Sequence, residues 1–542
     1  MKHIAAVVLV AACTGLAQEA ATPKPTTLMQ GLSSLHHPVS TTNSEAQQFF
    51  DQGLRLVYAF NHEEAGRSFR RAAELDPKLA MAWWGIALAV GPNYNLPVDP
   101  EREKIAVDAI DKAKALCAGG PPIEKDYIDA MAKRYSHDAQ PNYHQLNVNY
   151  SSAMRELTRK YPDDLDAATL YADSMMNLRP WKLWNPDGTP AEGTNEIVTT
   201  LEGVLRRDPN HIGAMHLYIH AVEASPHPER ALPYADRIAA LAPAAGHLVH
   251  MPAHIYERTG NFDGAREHNA EAAKADEDYA AATGAQGMYM MMYYSHNLHF
   301  GAIAASMQGR CGEAKRSADR LADNLRPALR EMPMVEAFVA VQLAVAARCA
   351  RWDDLLASSE PSPQTPILKV YWLFSHGLAL AARGKTAEAE GLEKQLAAIE
   401  KSTSHDDIYM PPIENRTWQI FQIADDILAA RIRAAKGDKP AAIRLLQDAV
   451  AGQDKLLYDE PADWYYPVRE SLGGMLLQTG DFKGAEQVFR DDLEQNPRNP
   501  RSLFGLAEAL HRQQRDYEAS WIKQQFQVAW QGADVELKVE DL

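Results

Sequence analysis

The chain has 542 residues, of which 46% are hydrophobic and 23% charged, with a formal net charge of −17. That length exceeds one ordinary compact core unless the chain is a repeat array. The acidic balance argues against a nucleic-acid backbone or an anionic membrane surface as partner. Ala and Leu dominate while strand-like runs of Val, Ile and Thr are scarce, which predicts an all-helical chain.

At the N-terminus, Lys2 and His3 precede an apolar run from Ile4 to Val10 that continues to Leu16. The run reads as an export signal over residues 1–17 and is too short for a permanent membrane helix. Gly15 and Ala17 offer a cleavage point; Val10-Ala11-Ala12-Cys13 also fits a lipobox, with Cys13 lipidated. Both readings predict an exported protein, periplasmic or envelope-associated, with a lipid anchor as its only membrane contact. Residues 18–43, with Pro23, Pro25, Thr26 and Thr27, read as a flexible tether. The cysteines are Cys13, Cys117, Cys311 and Cys349, none in a C-x-x-C pair, so structural zinc and c-type haem motifs are absent. One disulfide is open to the chain in an oxidising compartment, and the sequence does not choose it.

A repeat begins at residue 44. Gly53, Ala65, Phe69, Ala72 and Pro77 fall at positions 8, 20, 24, 27 and 32 of a 34-residue unit. Gly473, Ala485, Phe489 and Pro497 repeat the pattern near the end, and weaker copies fill the middle. These positions resemble the tetratricopeptide repeat. The resemblance implies an all-α, right-handed superhelical solenoid of antiparallel helix pairs over residues 44–532, with an acidic, frayed tail at 533–542. Two stretches interrupt it, Gly91–Pro100 and Arg179–Gly193. Loops of this length are either covers over a site or plain surface insertions.

The pattern His216-x3-His220-x2-Glu223 recurs as His250-x3-His254-x2-Glu257, 34 residues later. Spacings of four and three place each triplet along one helix face. In tetratricopeptide arrays, positions 2, 5, 9 and 12 of the first helix line the concave groove. The resemblance therefore implies that both triplets, with His247, His296 and His299, face one stretch of groove. Histidines at i and i+4 make a bidentate metal site. With nitrogen and carboxylate ligands and no thiolate, the set suits zinc, copper, iron or manganese. Each glutamate lies roughly 10 Å along the axis from the first histidine of its triplet. It is thus expected as an acceptor for the histidine three residues earlier, as a ligand between helices, or as a base for a metal-bound water. Pro252, between His250 and His254, is expected to splay that pair or delay its helix.

Elsewhere, Asn61 reads as a helix cap, and His37 and His62 would reach the groove only if the N-terminal segment folds back. The strip Asp459–Glu470, with Trp464, Tyr465 and Tyr466, reads as ordinary packing or as a lid, and Asp406–Glu414 as a surface loop. No Gly-rich phosphate loop, H-E-x-x-H or G-x-S-x-G is present.

The segments GHLVHMPAHIYERTG (246–260), YYSHNLHF (293–300), HHPVSTTNSEAQQFFDQGLRLVYAFNHEEA (36–65) and DEPADWYYPVRESLG (459–473) resemble a group of exported bacterial tetratricopeptide proteins. That resemblance implies fold and export and supplies no activity. The sequence thus supports two functions. One is a metalloprotein, a hydrolase or oxidoreductase, using His216, His220, His247, His250, His254, His296 and His299 as ligands and Glu223 or Glu257 as base. The other is a non-enzymatic scaffold holding a peptide, a protein or a small molecule in the groove.

Overall fold

A computed structural model describes residues 24–542. The export signal, the lipobox at Cys13 and the start of the tether lie outside the described residues.

Helix starts are encoded locally. Asn43 accepts from the backbone N–H groups of Glu45 and Ala46 ahead of helix Ser44–Tyr58. Asn61 does the same for Glu64 ahead of His62–Leu75. Each cap satisfies donors that the first helical turn leaves unpaired. Repeat positions then lock one helix to the next. A Cβ on Gly53 would sit 2.7 Å from the Phe69 ring, and one on Gly85, in the following helix Ala80–Val90, would be closer still. The ring is therefore a plug between three helices. Phe489 plays the same part between Gly473 and Gly505. Successive helices pack pairwise along the chain, and among the described residues only isolated β-bridges occur. The fold is the all-α solenoid of antiparallel helix pairs expected from the repeat pattern.

One apolar cluster extends from Leu32 to Ile255 and a second from Phe262 to Leu542. A small third one, with Ala253, Tyr256, Ala265, Phe300 and Ala304, lies between them. The solenoid coils back on itself, so late repeats touch middle ones. Gly260, at φ 78°, ends a helix in the left-handed region and lies against the Pro497 carbonyl, where a side chain would not fit. Lys182 pairs with Glu414 at 2.7 Å. Among the described residues, no helix is long and apolar enough to cross a membrane.

Three segments depart from expectation. The described part of the tether packs on the repeats: Lys24 donates to the Ala281 carbonyl at 2.8 Å, Gln52 bonds the Thr27 carbonyl at 3.0 Å and the Met29 N–H at 2.7 Å, and Leu32 is buried. The tail is ordered rather than frayed. Asp534 caps helix Cys311–Leu325 through the N–H groups of Cys311 (2.8 Å) and Gly312 (2.7 Å), while Leu537 and Leu542 bury apolar side chains that acidic composition concealed. In the 406–414 loop, Tyr409 is buried, its hydroxyl 3.4 Å from that of Tyr371. Cys311 and Cys349 form a disulfide, and Cys117 is a buried free thiol.

Candidate metal centre

Helix Ile212–Val222 carries His216 and His220 and ends at Glu223. The next ladder helix is split: Gly246–His250 stops and Pro252–Thr259 restarts with Pro252 in its first turn. Proline is tolerated there because that N–H needs no helical partner. The break does not splay the pair, since His250 Nε2 and His254 Nε2 lie 2.8 Å apart. Helix Ser295–Met307 supplies His296, after a π-helical turn at Met290–Tyr294.

Six of the seven predicted histidines converge in two sets, His216–His220–His247 and His250–His254–His296. Within each set one ligand atom per residue lies within 4.8 Å of the others. The ring centroids of His220 and His254 are 5.2 Å apart and those of His247 and His250 5.7 Å, so the sets are neighbours. His299 is not among them. It stacks edge-on to Phe338 and lines a separate small cavity with Tyr371, Asp463 and Tyr465. Position 5 of its repeat points there because helix Ser295–Met307 turns its His299 face toward Glu336–Arg348.

The outer nitrogens of the rings are held in place. His216 Nδ1 donates to the Tyr58 carbonyl at 2.6 Å. His250 Nδ1 donates to Asn269 Oδ1 at 2.7 Å, and Asn269 is itself oriented because its Nδ2 donates to the Ala265 carbonyl. Glu223 Oε1 accepts from His220 Nδ1 at 3.1 Å, and its Oε2 lies 2.8 Å from His254 Nδ1 as an ion-pair contact. Glu460 also meets His254 Nδ1. An imidazole whose Nδ1–H is engaged by an acceptor presents a lone pair at Nε2, as metal-bound histidines do. His216 Nε2 faces His247 Nε2 at 3.0 Å. His220 Nε2 is buried without a hydrogen-bond partner among the described residues.

Two roles given to the glutamates change. Glu223 supports His220 as expected, but its second oxygen is ion-paired with His254, so it is not a free base. Glu257 does not support His254. That place is taken by Glu223 from the preceding repeat and by Glu460, because the split helix aims His254 Nδ1 away from its own C-terminal end. Glu257 Oε1 has no hydrogen-bond partner among the described residues.

Electrostatics follow burial. His216, His250 and His254 are 0% exposed. Burial, then the neighbouring imidazoles, pushes His216, His247, His250 and His296 well below the ordinary histidine range, so they stay neutral, the form that binds metal. His254 differs. Burial pushes it down, but Glu223 and Glu460 outweigh that and raise it to about 10. Burial pushes Glu460 up to about 7, and burial and Glu460 together push Glu257 well up.

The face is roofed, not an open groove. Phe60 stands at φ 55°, a left-handed conformation costly for a non-glycine residue. Its ring stacks on His220 and His247 and lies 4.3 Å from His216 between centroids. Phe300 packs 4.7 Å from His250 and 4.9 Å from His254. Both inserted loops act as covers: Tyr94 and Trp181 pack on each other and on His220, and Trp184 Nε1 donates to the Ala221 carbonyl.

The other sites of interest are structural. The N-terminal segment folds back, yet His37 goes to Asp166 at 2.8 Å, where Tyr58 and His211 also bond. Asp164 accepts from Tyr127 and caps helix Leu165–Met176. These carboxylates are thus satisfied internally. His62 stacks on Phe60 and lines a second cavity with Asn93 and Arg134. Glu470 pairs with Arg348 at 2.9 Å.

The chain is a tetratricopeptide-like helical repeat protein. Solved structures similar to it include a human IFIT1 dimer with m7Gppp-AAAA, at 13% identity over 90% of each chain with a TM-score of 0.33. The Cut9–Hcn1 hetero-tetramer of the APC/C matches at 11% identity over 89% of this chain and 79% of that one, with a TM-score of 0.32. Yeast Tom70 matches at 12% identity over 90% and 93%, with a TM-score of 0.26. Superpositions this loose say nothing about ligands. No family model and no curated protein matches the chain.

Sequence reasoning missed Glu460, Asn269, the Tyr58 carbonyl and Phe60. Only Glu460 left a signal, in the acidic and aromatic strip at 459–470.

Proposed function

We propose that this protein is an exported metalloprotein whose repeats build a buried site for transition metal, with zinc, copper, iron and manganese as candidates. The observation that carries the reading is the pair of three-histidine sets, in which Nδ1 of His216, His220 and His250 is already hydrogen-bonded to an acceptor and Nδ1 of His254 lies against two carboxylates. A packing interior has no use for six clustered imidazoles with oriented inner nitrogens. The Cys311–Cys349 disulfide supports an oxidising compartment. An ion here would serve as a Lewis acid, or would lower the pKa of a bound water, for a small substrate passing the roof of Phe60, Tyr94 and Trp181. The scaffold reading keeps the repeats but loses the histidines, because a peptide laid along this face meets the roof instead.

The test is the metal content of protein purified without an affinity tag. One or more tightly held transition-metal ions per chain are expected, with a large loss in His250→Ala/His254→Ala. Absence of metal, together with no thermal shift on adding zinc, copper, iron or manganese, refutes it.

A further inference from the structure

We infer that the cluster holds two metal ions side by side, one in His216–His220–His247 and one in His250–His254–His296, with Glu223 tying the two sets together. This rests on the metal reading above and adds number, placement and counter-charge to it.

The first argument is ligand supply. A zinc-type ion takes about four ligands. Six imidazoles exceed that and form two sets of three, while His220 and His254 also make a third group with Glu223 at the seam between them. Each set combines an i, i+4 pair with one ring from a neighbouring helix. Each contains one Nε2–Nε2 approach, 3.0 Å for His216 and His247 and 2.8 Å for His250 and His254. Each holds one ring through an uncharged oxygen, the Tyr58 carbonyl or the Asn269 amide, and another through the Glu223 carboxylate. A single ion needs this arrangement once; the chain builds it twice, from different residues.

The second argument is charge. Glu223 and Glu460 contact His254 of the second set, Glu257 follows three residues along its helix, and Asp459 and Asp463 flank Glu460 in sequence. Glu257 Oε1, Glu460 Oε1, Asp459 Oδ2 and Asp463 Oδ1 are buried without a hydrogen-bond partner among the described residues. The positive side chain on this stretch, Arg258, is spent on the Glu223 carbonyl and the Tyr458 ring. Buried carboxylates need compensating charge. A divalent ion in each set places positive charge on both sides of Glu223 and beside Glu460. Glu223 lies at the midpoint, one oxygen on a ring of each set.

Stoichiometry tests this directly. Full-length protein is dialysed against zinc and its bound metal counted by mass spectrometry. Two ions per chain are expected, falling to one in His216→Ala/His247→Ala and to one in His250→Ala/His296→Ala. Saturation of the unmutated protein at one ion overturns the inference while leaving the metal reading intact; no bound ion removes both. Loss of all metal in a double variant of unchanged helical content points to one shared site and also overturns it. Should either variant fail to fold, copper(II) loading of the unmutated protein decides. Paramagnetic resonance showing spin coupling at two ions per chain supports the pair, and an uncoupled single-site signal at saturation refutes it.

Discussion

Replacing Glu223 by glutamine keeps the shape of the side chain and removes its charge. In the native site one carboxylate oxygen accepts the His220 ring N–H at 3.1 Å and the other is ion-paired with His254 Nδ1 at 2.8 Å. Glutamine offers one acceptor and one amide nitrogen. One ring therefore meets an N–H with its own N–H and has to turn or change tautomer, which withdraws its Nε2 lone pair from the ion. Losing an outer partner of a metal-bound histidine costs roughly 10–100-fold in affinity, or about 1.4–2.7 kcal/mol at about 1.4 kcal/mol per decade. The loss should fall more heavily on the set containing His220, because His254 retains Glu460. The assay is a competitive titration of zinc against a chelator, comparing the unmutated protein, Glu223→Gln and Glu460→Gln. A Glu223→Gln protein that melts normally and binds within about twofold of the parent would refute the supporting role given to this carboxylate.

Four further outcomes are expected. Phe489→Ala should cost about 3–5 kcal/mol locally, because the ring plugs three helices; faster amide exchange confined to the helices around 468–512 is the readout. Asp166→Asn should destabilise by about 3 kcal/mol, with a pH signature measurable by denaturant melts. Burial pushes Asp166 up, but its bonds to His211 and His37 hold it below its ordinary 3.8, so its contribution is present above 3.8 and lost on acidification. His37 is lowered by burial and raised more strongly by Asp166, so its contribution is complete below 6.5 and lost as pH rises through its raised value. The gap between parent and variant should therefore be widest from 3.8 to 6.5. Alkylation in denaturant without reductant should label Cys117 and spare Cys311 and Cys349; reducing that bridge, at a separation of 38 residues, removes about 4 kcal/mol in the chain-entropy account. Finally, Phe60→Gly should relieve the backbone at φ 55° and yet admit water to the histidines, read as faster metal release to a chelator.

The fold was legible because its rules are local. A glycine at position 8, an aromatic at 24 and an asparagine cap each specify a contact within one repeat or the next. Six of the seven ladder histidines were legible for the same reason, since a 34-residue period carries identical positions onto adjacent helices. What escaped was everything set by the coiling of the whole array. Glu460 reaches His254 only because late repeats curl back onto middle ones, and repeat position has no term for that. The same coiling, with the two inserted loops, turned an expected groove into an interior. His299 shows the limit of position alone, because the turn of its helix sent it to a different cavity.

The reach of Glu460 to His254 also imposes an order of assembly. As the chain emerges from its N-terminus, His216, His220 and His247 can meet once the first apolar cluster has formed. His250 and His254 wait for helix Ser295–Met307, and their last carboxylate is made only when most of the solenoid exists. A chain truncated before Asp459 would keep all six histidines of the two sets and still lack that contact. The second set is thus finished by a residue more than two hundred positions away from its histidine, a contact no single repeat could make.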